Sequence, residues 1–340
     1  MAALPPRSVG LVVVESSTSA LLVLLGILGN SLLLVSLYRK PRLKSSTGSL
    51  IAALAMTDLL LNACIPGALF WSSLTTGKMS FRKVGCQISG FFMHFLSYVS
   101  IATMALTAIN RYVCVLKPNV YKKAFSYNRS MLYIACLWAF VAMVAFLPIV
   151  SGSSTFAYNP VMASCIMKFT TTNSQISFTS FIGAFFVVCC LIVISVCYFR
   201  GVSRFIRHHN MNTISQLSMQ EINLTKALFV LVFTFAALWI PTFLMIVLAR
   251  LVLNAKLPRQ FVPLVPYLIY WSSAFNPWIY GVMCPAVRNK MKKTFFAWSG
   301  RGSTVFAGPE VMVVSTLPTP RRKSAISNIT HVSDFTNVSS

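Results

Sequence analysis

The chain has 340 residues, of which 56% are hydrophobic and only 10% are charged, and its mean hydropathy is +0.72. This composition supplies too little polar surface for a soluble globular protein, so we expect a lipid bilayer to be the solvent of the folded chain. In a soluble protein the formal net charge of +24 would suggest nucleic-acid binding.

Seven apolar runs follow one another along the chain, at residues 11–38, 47–74, 84–116, 129–150, 174–205, 221–253 and 258–282. A helix needs about 20 apolar residues to cross the hydrocarbon core. The runs are too long and too continuously apolar for the strands of a membrane barrel, which have about 10 residues. The sequence therefore predicts an all-α fold, with a seven-transmembrane helix bundle over residues 11–282 after a short extracellular N-terminus of residues 1–10.

The basic residues are unevenly divided between the two sides of this bundle. If the N-terminus lies outside, 21 of the 29 Lys and Arg residues are cytoplasmic. This is the positive-inside pattern, so the charge records topology and contact with membrane lipid. We accordingly expect a multi-pass protein of the plasma membrane, with its N-terminus outside and without a nucleic-acid partner.

Two segments of different character follow the seventh run. Pro285–Trp298 sets Met291, Phe295 and Phe296 against Lys and Arg residues, which predicts an amphipathic helix on the inner membrane surface. Residues 299–340 are rich in Ser, Thr, Pro and Asn, which predicts a disordered cytoplasmic tail. Hydroxyls of this tail suit phosphorylation by a receptor kinase and recruitment of arrestin, and a plain solvated tail is the alternative.

Two of the nine cysteines, Cys86 and Cys165, are predicted to face outside, while the others lie in the spans or at the cytoplasmic edge. Oxidising surroundings could join these two in a disulfide and pin the second outer loop over the bundle. Two free thiols are the alternative.

Asp58 is the only acid deep in a predicted span, and Asn30, Ser100, Ser273 and Asn276 lie at comparable depth in their own spans. A carboxylate is costly at this depth without a partner. A sodium ion held by Asp58, Ser100, Ser273 and Asn276 is one solution, because hard cations prefer oxygen ligands. The alternative is a protonated Asp58 that is hydrogen-bonded to Asn276 or Asn30, with no cofactor at all.

Each of the seven runs carries one or more residues of a recurrent set: Gly29-Asn30, Leu54, Asp58, Cys86, Asn110-Arg111-Tyr112, Trp138, Tyr198, Phe235, Trp239, Pro241 and Asn276-Pro277-Trp278-Ile279-Tyr280. This set, in order and at this spacing, resembles rhodopsin-like (class A) G-protein-coupled receptors. Any one of these short motifs is weak evidence by itself. Together they cover most of the chain before the predicted tail.

The resemblance implies a bundle with two states, in which an outer agonist opens the inner ends of helices five to seven to a heterotrimeric G protein. It assigns coupling and switching to Arg111, Asn110, Tyr112, Glu221, Tyr198, Phe235, Trp239, Pro241, Asn276, Pro277 and Tyr280. In the resting state Arg111 is expected to pair with Glu221. The alternatives are that Glu221 is a solvated acid at a helix start and that the aromatic residues are core filler.

Two positions depart from the family pattern. Asn110 stands where most members carry an acid, so we expect a weaker restraint on Arg111 and measurable basal activity. Cys190 replaces the proline usual in helix five, which puts the local bulge that shapes the pocket in doubt.

The resemblance places a ligand pocket among Met93, His94, Ser97, Phe185, Phe186, Trp239, Phe243, Tyr267 and Tyr270. Met93 stands where amine receptors have an Asp, and residues 261–289 contain no Lys for a retinal Schiff base. The wall is apolar and aromatic, which indicates a neutral lipophilic or indole-like small molecule. A histidine such as His94 is more often a packed core residue than a ligand contact.

Within the class, the segments Cys86-Gln87-Ile88-Ser89-Gly90, Asn110-Arg111-Tyr112 and Ile279-Tyr280-Gly281 look most similar to melatonin-type receptors and invertebrate orphan receptors. Ile149, Phe169 and Pro277 depart from the melatonin-receptor pattern. The likeness favours coupling to the inhibitory class of G protein.

A membrane transporter or channel is the alternative, because seven apolar spans alone do not distinguish it from a receptor. Transporters usually show internal repeats and broken helices, and ion relays need more intramembrane charge than Asp58 supplies. Metal-ligand clusters, phosphate-binding loops and nucleophile–base motifs are missing from the sequence, so we do not expect an enzyme.

Overall fold

The structure, a computed structural model, describes residues 8–38, 45–63, 83–159, 164–207, 219–247 and 264–298. Several predictions lie outside these ranges. They concern residues 1–7 of the N-terminus, the outer ends of the second, sixth and seventh runs, and the tail of residues 299–340.

The described chain is helical apart from one hairpin. Its helices are α1 (Val9–Tyr38), α2 (Ser46–Ala63), α3 (Lys83–Leu116), α4 (Pro118–Ala124), α5 (Tyr127–Val150), α6 (Thr172–Ile182), α7 (Cys190–Arg207), α8 (Met219–Val247), α9 (Leu264–Met283) and α10 (Pro285–Trp298). A π-helical stretch, Gly183–Cys189, joins α6 to α7, so that these three segments form one continuous rod.

Four of the helices in the described ranges, α1, α2, α3 and α5, are long and apolar enough to cross a membrane by length and composition. The rod of α6 and α7, then α8 and α9, take the places of the fifth, sixth and seventh predicted runs. The amphipathic helix α10 follows with the predicted bounds. The predicted all-α fold class is confirmed.

The bundle is held together by a buried inner cluster and by close contacts between helices. The cluster joins α1, α2, α3, α7, α8 and α9 through Leu33, Leu54, Met104, Ile194, Leu228 and Tyr280. On α1, a Cβ at Gly29 would lie 2.6 Å from Cγ of Pro277 and 3.0 Å from Nε1 of Trp278. The glycine therefore lets α1 pack directly on α9, as small residues do between membrane helices.

The fifth span, formed by α6, the π-helical stretch and α7, is irregular at the place where the sequence left a local bulge in doubt. Its π-helical stretch ends at Cys189, immediately before Cys190, the residue that replaces the usual proline. A single π-turn widens a helix without a proline, because one extra residue is inserted into the hydrogen-bond ladder. A local bulge is therefore present in this span.

The segment predicted to be the second outer loop forms a hairpin that the sequence did not predict. Strand β1 (Ser154–Asn159) pairs antiparallel with β2 (Ser164–Phe169), with Tyr158 opposite Cys165. Cys165 forms a disulfide with Cys86 near the start of α3, so the predicted disulfide is confirmed. The hairpin is thus tied to the outer end of the bundle.

Candidate functional site

The predicted pocket residues come from α3, the fifth-span rod and α9. Met93, Tyr267 and Tyr270 pack together in one buried cluster with Leu61 and Leu96. Phe186 is buried in a neighbouring cluster and stacks on Tyr98, with the ring centroids 5.1 Å apart. Ser97 is buried on α3 and donates a hydrogen bond to the main-chain oxygen of Met93 at 2.6 Å.

Phe185 requires a correction, because its side chain is largely exposed, although its ring contacts that of the predicted pocket residue Phe186 with the centroids 5.1 Å apart. Its side chain is 40% exposed and packs against Phe140 of α5 and Phe181 of α6 on the outside of the bundle. Phe186, the next residue, is fully buried. Successive residues of a helix point about 100° apart, so the two side chains could not both face the interior.

His94 lies directly under the outer hairpin. Its Nδ1 is 2.9 Å from the main-chain oxygen of Gly90, and its ring centroid is 5.3 Å from that of Phe156. Phe156 is only 3% exposed and lies on Gly90, where a Cβ would come within 2.4 Å of the phenyl ring. The hairpin thus inserts an aromatic ring beside α3, a contact that the sequence analysis missed.

Gln87 fixes this hairpin to α3 through two hydrogen bonds. Its Nε2 donates to the main-chain oxygen of Phe156 at 2.8 Å, and its Oε1 accepts from the Phe156 main-chain N–H at 3.2 Å. Ser164 of β2 donates to the sulfur of Met93 at 3.3 Å. Together with the disulfide, these contacts set the height of the hairpin above the pocket residues.

Four residues predicted to hold sodium meet in the middle of the bundle, around the fully buried carboxyl group of Asp58. Asn276 Nδ2 donates to Oδ2 of Asp58 at 2.6 Å, and the Ser100 hydroxyl donates to Oδ1 at 3.4 Å. The Ser273 hydroxyl donates to the main-chain oxygen of Asp58 at 3.3 Å. Neutral groups of α3 and α9 therefore converge on one carboxyl group of α2.

Two further amides complete this group, which we call the polar chamber and define as Asp58, Ser100, Ser273, Asn276, Asn30 and Asn62. Asn30 Nδ2 donates to the main-chain oxygens of Gly26 and Ser273, at 2.9 and 3.3 Å. Asn62 was missed by the sequence analysis, although it stands four residues after Asp58 and so on the same face of α2. Carboxylate, hydroxyl and amide oxygens are ligands that suit a hard cation.

Arg111 lies near the C-terminal end of α3, the end predicted to be cytoplasmic, and is 4% exposed. Its Nη2 and Nε donate to Oδ1 of Asn110 at 2.9 and 3.2 Å. Nη2 also donates to the Thr47 hydroxyl of α2 and, at 3.4 Å, to the Tyr121 hydroxyl of α4. These partners hold the guanidinium on the side of α2 and α4.

Asn110 links Arg111 to a wider group, the cytoplasmic network, defined as Ser46, Thr47, Asn110, Arg111, Tyr121 and Ser130. Asn110 Nδ2 donates to the Ser46 hydroxyl at 2.7 Å, which lies 2.6 Å from the Ser130 hydroxyl of α5. Thr47 donates to Asn110 Oδ1 at 3.0 Å. The amide therefore restrains the guanidinium at the position where most family members carry an acid.

The remaining predicted switch residues are distributed over α3, α7, α8 and α9. Phe235 and Tyr280 belong to the buried inner cluster, and Tyr112 is half-buried. Pro241 and Pro277 lie inside α8 and α9, as expected for helices with a kink. The helix backbone is described at four other positions, but their side chains lie outside the described part of the structure: Tyr198, Glu221, Trp239 and Phe243. The pairing of Arg111 with Glu221 stays a prediction.

The chain is similar to known proteins both in sequence and in fold. The model of the family described as 7 transmembrane receptor (rhodopsin family) matches residues 29–280. The melatonin receptor type 1A of Ovis aries is 27% identical over 85% of this chain and 79% of its own length. Its counterpart from Mus musculus is 28% identical over 80% of this chain and 77% of its own length.

The chain is also similar to a melanopsin and to a rhodopsin. Melanopsin-B of Xenopus laevis is 28% identical over 79% of this chain, which spans about half (52%) of that relative's length. The crystal structure of squid rhodopsin superposes with a TM-score of 0.71 at 21% identity, over 87% of this chain and 93% of that one. At this identity the structural likeness shows a shared fold.

Proposed function

Because the chain belongs to the rhodopsin family of seven-transmembrane receptors, we propose that it binds an extracellular small molecule within its bundle and activates a heterotrimeric G protein. The family consists of signalling receptors, so this multi-pass membrane protein is a receptor and not an enzyme. Its plasma-membrane location and outward N-terminus belong to the proposal. The disulfide between Cys86 and Cys165 supports that orientation, because such bonds form on the oxidising side of a membrane.

The cytoplasmic network is the observation that carries the coupling proposal. A buried guanidinium normally needs a charged partner, yet the partners described for Arg111 are neutral oxygens of Thr47, Asn110 and Tyr121. Neutral partners hold the Arg111 guanidinium less strongly than a carboxylate would. The guanidinium would therefore become available to a G protein when the inner ends of the helices separate. An agonist that binds the open state more tightly shifts the population by its difference in affinity.

The proposed ligand is neutral and lipophilic or indole-like. The predicted pocket residues Met93, Tyr267 and Tyr270 pack with neighbouring Leu and Ile side chains, and Ser97 adds a hydroxyl. A charged amine finds no carboxylate among these described side chains, and it would pay a large desolvation cost there. Likeness to the melatonin receptors makes melatonin the first compound to test and favours the inhibitory class of G protein.

A sodium ion that binds in the polar chamber and acts as an allosteric modulator is a further part of the proposal. Oxygens of Asp58, Ser100, Ser273 and Asn276 would hold it, and the ion would supply positive charge to a carboxyl group whose described partners are neutral. A cation that binds only the closed bundle would stabilise the resting state. Receptor kinase and arrestin, acting on the tail, are further proposed partners.

G-protein dissociation in cells, measured across the main Gα classes with and without melatonin, tests the function. We expect a basal signal in the inhibitory class, lost in an Arg111→Glu variant and kept in Arg129→Glu, which reverses an exposed cation at the start of α5. A melatonin response would assign the ligand, and a basal signal alone would leave the ligand open. A silent receptor at normal surface expression would contradict the proposal.

A further inference from the structure

Asn62 lies one turn after Asp58 on α2, at the junction of α1, α2 and α9. Its side chain is 1% exposed. Its Nδ2 donates to the main-chain oxygen of Asp58 at 2.8 Å and to the Ser273 hydroxyl at 2.7 Å. The amide therefore bridges the two helices that supply most of the polar chamber.

The orientation of this amide is fixed by its partners. The main-chain oxygen of Asp58 can only accept a hydrogen bond, so the atom facing it at 2.8 Å must be the NH₂ group. The opposite atom, Oδ1, is buried and has no hydrogen-bond partner among the described residues. A buried acceptor without a donor is costly, and bound water or an ion is a usual explanation.

Helix α1 is shaped to admit this amide. A Cβ at Gly26 would lie 2.5 Å from Cγ of Asn62 and 2.7 Å from its Oδ1. Any larger residue at Gly26 would displace the amide from the junction. The carboxamide is thus enclosed between α1, α2 and α9, where lipid cannot reach it and its oxygen can serve only the interior of the bundle.

Asn62 also determines what Ser273 can do. Because Asn62 Nδ2 donates to the Ser273 oxygen, the Ser273 hydroxyl hydrogen is left to donate elsewhere, and it donates to the main-chain oxygen of Asp58 at 3.3 Å. One oxygen lone pair of Ser273 remains for another partner. The amide therefore positions the serine beside the carboxyl group.

We propose that Asn62 is part of the cation site at Asp58: its Oδ1 is an additional oxygen ligand and its Nδ2 positions Ser273. This inference rests on the proposed sodium site. It extends that site by one helical turn towards the outside and by one oxygen. Five side chains then supply the site, from Asp58, Asn62, Ser100, Ser273 and Asn276.

Thermal unfolding of the purified full-length receptor, followed against sodium chloride concentration, tests the inference. N-methyl-D-glucamine chloride keeps the ionic strength constant, so that only the cation changes. Asn62→Leu should raise the sodium concentration for half-maximal stabilisation by about 10-fold, as the loss of a supporting ligand does at other metal sites. Asn62→Asp should lower it, because it adds a negative charge.

Thr57→Val is the matched control. Thr57 is equally buried and adjacent to Asp58, but its hydroxyl donates to the main-chain oxygen of Ala53 in its own helix. We expect this variant to respond to sodium like the wild type and Asp58→Asn to lose the response. If Asn62→Leu does not fold, the Asn62→Asp result decides.

Wild-type midpoints in both Asn62 variants would overturn the inference and leave Asn62 as a water-bound structural amide. A wild type without a sodium-specific response would overturn it together with the cation site. Neither result touches the coupling proposal, because G-protein activation is measured separately on the same protein.

Discussion

At the scale of single residues, the contact between Asn110 and Arg111 is the feature most directly tied to activity. Asn110 accepts two N–H groups from the guanidinium, so it occupies the place of the usual acid without its charge. A carboxylate at this position would add the attraction of opposite charges to these hydrogen bonds, which a neutral amide oxygen does not supply. The resting state should therefore be held less firmly here than by a carboxylate.

Asn110→Asp should lower basal signalling. The new charge would stabilise the restrained Arg111 by about 1 kcal/mol more, which corresponds to about a fivefold smaller open population. Basal nucleotide exchange in membranes measures the effect. Asn289→Asp on α10 adds the same charge at an exposed position and should leave the signal unchanged. An unchanged or increased signal in Asn110→Asp would contradict the assigned restraint.

The sequence predicted the positions of the buried polar side chains better than those of the apolar ones. Asn30, Ser100, Ser273 and Asn276 were placed near Asp58 by depth alone, and the structure brings them into one chamber. Depth works because an isolated polar group in lipid is so costly that those in different spans turn towards each other. The prediction that Phe185 faces the pocket was wrong. In a helix that is apolar all round, the periodicity of the sequence does not distinguish the side facing the interior from the side facing lipid.

At the scale of elements, the outer hairpin is the part that the sequence could least predict. Phe156 lies in a loop without a helical or alternating pattern, and its position depends on Cys86, Gln87 and the strand register. Register set by a distant tie is not encoded locally. The helices, in contrast, follow from long apolar runs, so their existence was predicted, with ends near the observed ones where the run lies within the described residues.

Phe156→Ala should destabilise the hairpin and the outer half of the bundle. The phenyl ring fills the space over Gly90 and beside His94, and removing such a buried ring costs about 3 kcal/mol. The midpoint of thermal unfolding should fall clearly below that of Thr155→Ala, which alters an exposed neighbour in the same strand. Equal midpoints for the two variants would show that the ring contributes nothing to the packing.

At the scale of the whole molecule, charge and the disulfide together define an orientation. The side with 21 of the 29 basic residues should be cytoplasmic, and the hairpin with its disulfide should be outside. The cytoplasmic network and the polar chamber then lie in series between the hairpin and the inner surface. That order is what a receptor needs to convert outer binding into inner opening.

An epitope at the N-terminus should accordingly be labelled on intact cells, and one at the C-terminus only after permeabilisation. The physical reason is the larger number of Lys and Arg residues in the predicted inner loops, which resist translocation. A tag on a known cytoplasmic protein serves as the permeabilisation control. Labelling of the C-terminal tag on intact cells would invert the assigned topology and place Arg111 on the wrong side for a G protein.

Coupling through Arg111 is tested most directly by GDP–GTP exchange on a purified inhibitory-class G protein, catalysed by the purified receptor in a reconstituted bilayer. We predict that the receptor accelerates exchange without added ligand, that Arg111→Leu abolishes the acceleration, and that Arg129→Leu preserves it. Exchange that is equally fast with the Arg111→Leu receptor, or no faster with the wild type than with empty bilayers, would contradict coupling through Arg111.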